Sequence, residues 1–304
     1  MTDLVYKSIS AFHWRAYLEL CKPKVVALIV FTAIVGMLLS SPGLVPFDTF
    51  LFATLGIGLA AASGAAINHW FDRRIDAVMD RTKQRPIVVG ELSSTKALVF
   101  ALTIGLLGEW ILVAFINNLT ALLTLISLIG YAVIYTVFLK RNTPHNIVLG
   151  GAAGAAPPLL GWTAVTNQVT IEPIILFMII FAWTPPHFWA LAIKRRTEYA
   201  DAGLPMLPVT HGVDFTKYQI VLYTLVLFLV TLTPFLVGMN GLIYLLGAVG
   251  LGGAFIYHAY ILYLSADDKH AMPTFGFSII YLMTLFAFLL VDHYVYSLML
   301  GYKG

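Results

Sequence analysis

The sequence predicts an all-α integral membrane protein, about nine transmembrane helices in a single bundle with the N-terminus in the cytoplasm. Three observations carry this. The chain is 60% hydrophobic and only 11% charged, against about 25% charged residues in a soluble domain. Its apolar residues fall in long continuous runs. The breaks between those runs are of two chemically different kinds.

A membrane span needs about 20 mostly apolar residues. Nine segments qualify, at approximately 25–41, 49–68, 97–116, 119–139, 146–165, 173–193, 218–237, 241–264 and 275–299. In lipid only helices or closed barrels satisfy the backbone, and runs this continuous do not alternate as barrel strands do. One set of breaks (Ser41-Pro42-Gly43, Asn117-Asn118, Thr166-Asn167-Gln168, Met239-Asn240-Gly241) holds no Lys or Arg. The other set is the N-terminus with 69–96, 140–145, 194–217 and 265–274. It holds 17 of the 18 Lys and Arg residues, Lys303 being the exception. Nine spans put the two sets on opposite sides, and the positive-inside rule places the basic one in the cytoplasm. No linker divides the chain, so residues 1–304 are expected to form one domain, with long cytoplasmic loops at approximately 69–96 and 194–217. These loops follow spans two and six, which points to a parallel pseudo-repeat of four helices plus one. Asp3, Glu19, Lys22 and Lys24 interrupt the first 24 residues, so no cleaved signal is expected there. A bacterial plasma membrane is the expected home. The single cysteine, Cys21, excludes an intrachain disulfide.

The informative polar residues gather where spans meet the basic side. Asn68, Asp72 and Asp76 are spaced i, i+4, i+8 at the end of span two, which puts three oxygen donors on one helical face. Like charges at this spacing repel, so the face is stable only beside cations. Carboxylates with an amide oxygen suit a hard cation such as Mg²⁺, which takes one or two carboxylates, waters and phosphate oxygens. Arg81, Lys83 and Arg85 follow at once. Together they read as a clamp for a polyphosphate; ordinary positive-inside charge explains the cations alone, but not the three-donor face.

Two weaker groups echo the first. After span six, Lys194 and Arg195 precede Glu198 and Asp201, an i, i+3 pair that the repeat would bring across one cavity from the first face. After span four, Tyr135 precedes Lys140 and Arg141. These read equally as diphosphate contacts or as an interfacial anchor. Inside span six, Pro185-Pro186 is expected to break the helix ladder, and Ala156-Pro157-Pro158 breaks span five. His187 is an ionisable group within the membrane: a metal ligand, a proton carrier or a satisfied core histidine. His258, Asp292 and His293 also fall in spans, without a role that the sequence defines.

The motif Asn68-x3-Asp72-x3-Asp76, with Arg81-Thr82-Lys83-x-Arg85-Pro86 after it, resembles the first Asp-rich motif of the UbiA superfamily of intramembrane prenyltransferases. Gly154–Gly161, Trp183–Leu191 and Ala202–Val209 follow in the expected order and resemble its haem-modifying branch. The resemblance implies a transferase that moves a farnesyl group from farnesyl diphosphate to a vinyl group of haem b, with water. It implies Mg²⁺ on Asn68, Asp72 and Asp76, and on Glu198 and Asp201, a reduced form of the usual second motif. It assigns Lys83, Arg85, Tyr135, Lys140 and Lys194 to the diphosphate, and His187 and Trp189 to the haem substrate. A haem A synthase or oxidase assembly factors are the protein partners it implies, beside the lipid bilayer; no nucleic acid is expected. Two rivals are a relative acting on an aromatic quinone precursor, which the Pro-Pro-His-Phe-Trp stretch disfavours, and a transporter with broken helices.

Overall fold

The computed structural model describes residues 14–301, with side chains to residue 295. Residues 1–13, the start of the expected cytoplasmic N-terminus, and Lys303 lie outside it. The helices run α1 Trp14–Leu20, α2 Pro23–Leu39, α3 Phe47–Asp76, α4 Ser94–Phe115, α5 Asn118–Asn142, α6 Asn146–Ala155 and α7 Pro157–Thr166. They continue with α8 Ile171–Lys194, α9 Arg196–Asp201, α10 Leu207–Thr210, α11 Val213–Leu236, α12 Leu242–Leu264 and α13 Ala271–Gly301. Among the described residues eight spans are long and apolar enough to cross a membrane, α6 and α7 together making one of them. The pair α1–α2, bent by 54°, makes a ninth when counted as one.

The helices pack as the loop pattern suggested. α2 packs on α3, α3 on α4 and α4 on α5. The same pairing recurs one repeat later: α6 and α7 pack on α8, α8 on α11, α11 on α12. α13 then contacts α12, α8 and α2, which closes the bundle. The crossing of α2 with α7 depends on missing side chains at two points. A Cβ on Gly36 of α2 would collide with the backbone carbonyl of Pro158, and one on Gly161 of α7 with that of Ala33. Small residues permit this close approach, and it is dispersion between close backbones that holds membrane helices together.

Two expectations about helix breaks fare differently. The chain does break at Ala156, where α6 ends and Pro157 starts α7. At Pro185-Pro186 it does not: α8 runs unbroken from Ile171 to Lys194. Neighbouring helices on several sides hold α8 in place, and Thr184 Oγ1 donates to Ile180 O beside the gap (2.8 Å). A feature without a sequence signal appears in α5, where Gly130–Leu139 winds as a π-helix.

The basic-loop-free end of the bundle is tied by α13. Asp292 is 2% exposed. Its carboxylate accepts from the backbone N–H groups of Gly241 (2.5 Å) and Tyr244 (3.1 Å) and from Asn240 Nδ2 (3.3 Å), thereby capping α12, whose own cap residue is a glycine. His293 Nε2 lies 3.0 Å from Ser41 O. Two residues that the sequence left without a role, Asp292 and His293, are thus fasteners between α13, α12 and the α2–α3 turn. Replacing Asp292 by Ala should destabilise the protein by about 2 kcal/mol, since it strands several buried donors. Thermal unfolding in detergent measures this, and an unchanged midpoint would show that the cap is dispensable.

Candidate active site

The acidic face of α3 is buried rather than solvated. Asn68, Asp72 and Asp76 are each at most 4% exposed. A buried carboxylate is stable only when paired, and each donor here has a partner from another part of the chain. Lys22 Nζ donates to Asn68 Oδ1 (2.6 Å). Asn68 Nδ2 in turn donates to Asp72 Oδ2 (2.9 Å) and Thr136 Oγ1 (3.2 Å). Lys140 Nζ donates to Asp72 Oδ2 (2.5 Å), and Arg85 to Asp76 Oδ2 (2.5 Å). Arg141 lies 4.0 Å from Asp72 Oδ1 and donates to Phe71 O (3.3 Å).

Local structure places each of these groups. Leu20 and Tyr17 of α1 pack with Ala66, Ala97 and Ala101, docking α1 on α3 and α4. The chain then turns through Lys22, which takes a left-handed conformation (φ 48°, ψ 62°) before Pro23 starts α2. A lysine in that region carries a strain of roughly 1–2 kcal/mol, and the turn sets its ammonium on Asn68. The π-turns of α5 present Thr136 to Asn68 and Lys140 to Asp72, while Tyr131 and Tyr135 stack at 5.6 Å. Tyr135 lies against Gly150 of α6, where a Cβ would strike its ring. Irregular turns of this kind recur at functional sites.

The two long basic loops meet beside this cluster. Met79 packs with Ile193, Leu204, Met206 and Leu207. Arg81 stands at the junction: burial pulls its guanidinium below the ordinary value, with Tyr199, Arg85, Arg195 and Asp76 as the groups that tune it. Burial likewise pushes the Tyr199 hydroxyl up, with Arg81 and Arg195 opposing. Five cations (Lys22, Arg81, Arg85, Lys140, Arg141) therefore gather around two carboxylates. Such a site favours a polyanion.

The donor set fits a hard metal ion as well. Two carboxylates and an amide oxygen share one face, and Asp72 Oδ1 is buried without a hydrogen-bond partner. The second carboxylate pair does not join it. Glu198 is paired with Arg195 (3.3 Å), and Asp201 and Lys194 are exposed at the ends of α9 and α8. Among the described residues no three His, Cys, Asp or Glu side chains lie close enough to share a metal. Lys83 also turns away, pairing with the exposed Asp80 at 2.7 Å. His187 and Trp189, both buried, diverge on α8. His187 stacks on Trp183 and Phe275, whereas Trp189 meets Tyr223 with its Nε1 unpartnered.

Three members of the cluster escaped the sequence reading. Lys22 counted only as positive-inside charge, although a lysine directly before the proline that opens a span marks the same interface. Thr136 had no signal, because helical spacing does not describe a π-turn. His69, next to Asn68, is 4% exposed with both ring nitrogens buried and unpartnered; the three-donor face drew attention away from it.

Residues 29–286 match the UbiA prenyltransferase family. The chain belongs to that family. A protoheme IX farnesyltransferase of Thioalkalivibrio sulfidiphilus (strain HL-EbGR7) is 65% identical over 299 residues, covering 98% of this chain and 99% of that protein. Among solved structures, a digeranylgeranylglyceryl phosphate synthase superposes with a TM-score of 0.79 at 20% identity, over 92% of this chain and 98% of that one. A UbiA homologue from Archaeoglobus fulgidus, bound to DMAPP and Mg²⁺, gives a TM-score of 0.64 at 18% identity, over 90% and 98%. The UbiA-type bundle of this chain is thus a membrane-embedded prenyltransferase.

The geometry separates Lys140 from Lys83, which the sequence could not. Lys22→Met and Lys140→Met should each weaken binding of inorganic diphosphate with Mg²⁺ about tenfold, the size of one charge-assisted contact. Lys83→Met should leave it unchanged. Calorimetry in detergent reads all three, and an equal loss with Lys83→Met would return that residue to the clamp.

Proposed function

We propose that this UbiA-family enzyme transfers the farnesyl group of farnesyl diphosphate to a vinyl group of haem b (protohaem IX), with water, giving haem O and diphosphate. The observation that carries the donor half is the excess of cations around the buried Asp72 and Asp76 at one end of an apolar bundle. The acceptor half rests on the 65% identity to a protein named protoheme IX farnesyltransferase. The basic loops support a site at the cytoplasmic face of a plasma membrane.

The costly step is loss of diphosphate from the allylic carbon. As the C–O bond breaks, both electrons leave with oxygen. Lys22, Arg85 and Lys140 stand where that charge grows, and a dry setting strengthens their effect. Mg²⁺ on Asn68, Asp72 and Asp76 would neutralise further leaving-group charge when bound. The walls of the bundle keep water from the allylic cation until the vinyl group's terminal carbon attacks it. The new cation, next to the porphyrin ring, then takes water and releases a proton. Both substrates keep their apolar parts in the membrane interior and their anionic groups among the cations. His187 and Trp189 contact the haem in this reading, and a haem A synthase would be the consumer of the product.

Purified protein given farnesyl diphosphate, haem b and Mg²⁺ should yield a haem heavier by a farnesyl group plus a hydroxyl group, by mass spectrometry; prenylation of a hydroxybenzoate instead would redirect the acceptor. Chelation of Mg²⁺, Asp72→Ala or Asp76→Ala should each cut turnover by at least about a hundredfold, as loss of a main transition-state charge partner does. Retained activity would remove these carboxylates from the mechanism. His187→Ala should impair use of haem while farnesyl diphosphate still binds; equal loss of both would sink the assignment.

A further inference from the structure

His187 is held in an unusually complete setting. Trp183 and His187 are one turn apart on α8, and Phe275 and Ser278 one turn apart on α13. The imidazole lies between two aromatic faces, Trp183 at 4.1 Å and Phe275 at 4.6 Å between ring centroids. Trp183 is itself fixed, since its Nε1 donates to the Ser278 backbone carbonyl (2.8 Å). These contacts fix the plane of the imidazole. The hydroxyl of Ser278 fixes its protons.

Ser278 Oγ lies 2.6 Å from Phe275 O and 2.6 Å from His187 Nδ1. It has one proton to donate. If that proton went to Nδ1, two oxygen atoms would face each other at 2.6 Å with nothing between them, which is repulsive. If it goes to Phe275 O, Nδ1 must carry its own proton and donate to Oγ, and all three atoms are satisfied. The neutral ring then has its lone pair on Nε2. Among the described residues nothing hydrogen-bonds to Nε2. An imidazole that donates one N–H to the protein and keeps a lone pair on the other nitrogen is arranged as metal-ligating histidines are.

We infer that Ser278 is a positioning residue, holding the His187 proton on Nδ1 so that Nε2 is offered as a nitrogen ligand to the iron of a porphyrin acceptor. This rests on the haem reading above. A hydrogen bond to the distal N–H raises a ligand's basicity, and its loss usually lowers metal affinity by about 10–100-fold. Ser278→Ala is a clean probe, because it removes Oγ and keeps the carbonyl that anchors Trp183.

The full chain in detergent is titrated with haem b and, separately, with iron-free protoporphyrin IX, while visible absorbance is followed. His187→Ala should remove the nitrogen-ligated haem spectrum. Ser278→Ala should shift that spectrum, weaken haem binding about tenfold and raise the KM for haem but not that for farnesyl diphosphate. Ser278→Thr, which keeps a hydroxyl, should restore all three. Iron-free porphyrin should bind the variants and the parent alike. Ser278→Ala with the parent's spectrum and affinity would overturn the inference, as would an equal loss for both porphyrins or for both substrates. A parent protein that takes up no haem overturns the acceptor reading first; a parent that binds haem through His187 but ignores Ser278→Ala overturns this inference alone.

Discussion

Two carboxylates buried at the end of a membrane helix set the terms for the rest of this protein. Removing a carboxylate from water costs several kcal/mol even after relaxation, and Asp72 and Asp76 are almost wholly removed. Their partners must therefore be brought to them. Those partners lie far apart in sequence, at Arg85, Lys140 and, through Asn68, Lys22. Several local features follow from that demand. α1 docks on α3 and α4 and ends in a strained turn. α5 winds as a π-helix before Lys140. The loop after α3 folds back so that Thr82 Oγ1 meets Asp76 O (3.1 Å) and Arg85 meets the carboxylate.

The same pairing suits a phosphorylated substrate. The five cations of the cluster outnumber its two carboxylates, so an incoming polyanion finds donors in place rather than having to recruit them. Such preorganisation is the main source of electrostatic catalysis. It also accounts for the depth of the site. Asn68 lies eight residues before the end of α3, about 12 Å along its axis, so the polar column reaches from the interface into the apolar interior. A diphosphate can sit at its mouth while an allylic carbon sits below, away from water.

What the sequence made legible follows from periodicity and charge. Nine apolar runs pointed to the helical bundle, and the split between basic and uncharged breaks pointed to two chemically different ends of it. The i, i+4, i+8 spacing put Asn68, Asp72 and Asp76 on one face, and the structure has them there. Arg85 and Lys140 were read as cations near that face, and both touch it. Lys83 was read the same way, yet two residues of loop geometry turn it to Asp80 instead. Spacing along a loop carries no direction, so no pattern could separate Lys83 from Arg85. Thr136 was hidden because its contact depends on π-turns. Glu198 was drawn toward the cluster by the repeat, but its neighbour Arg195 holds it back. A repeat of helices does not oblige the loops between them to repeat.

The unbroken course of α8 through Pro185-Pro186 bears on the chemistry as much as on the fold. A break there would have freed His187 to swing. In a continuous helix its ring is fixed between Trp183 and Phe275, seven residues and about 10 Å before the C-terminal end of α8. Asn68 lies a similar distance inside the C-terminal end of α3. One polar column ends at Asn68 on α3, and one oriented imidazole stands inside α8. A reaction that joins an anionic, long-tailed donor to a flat, mostly apolar acceptor needs both reactants fixed at the same depth, each by its own polar end. Rigid helices provide that registration where loops would not, and this gives the tandem prolines a place in α8 only because the surrounding helices keep it straight.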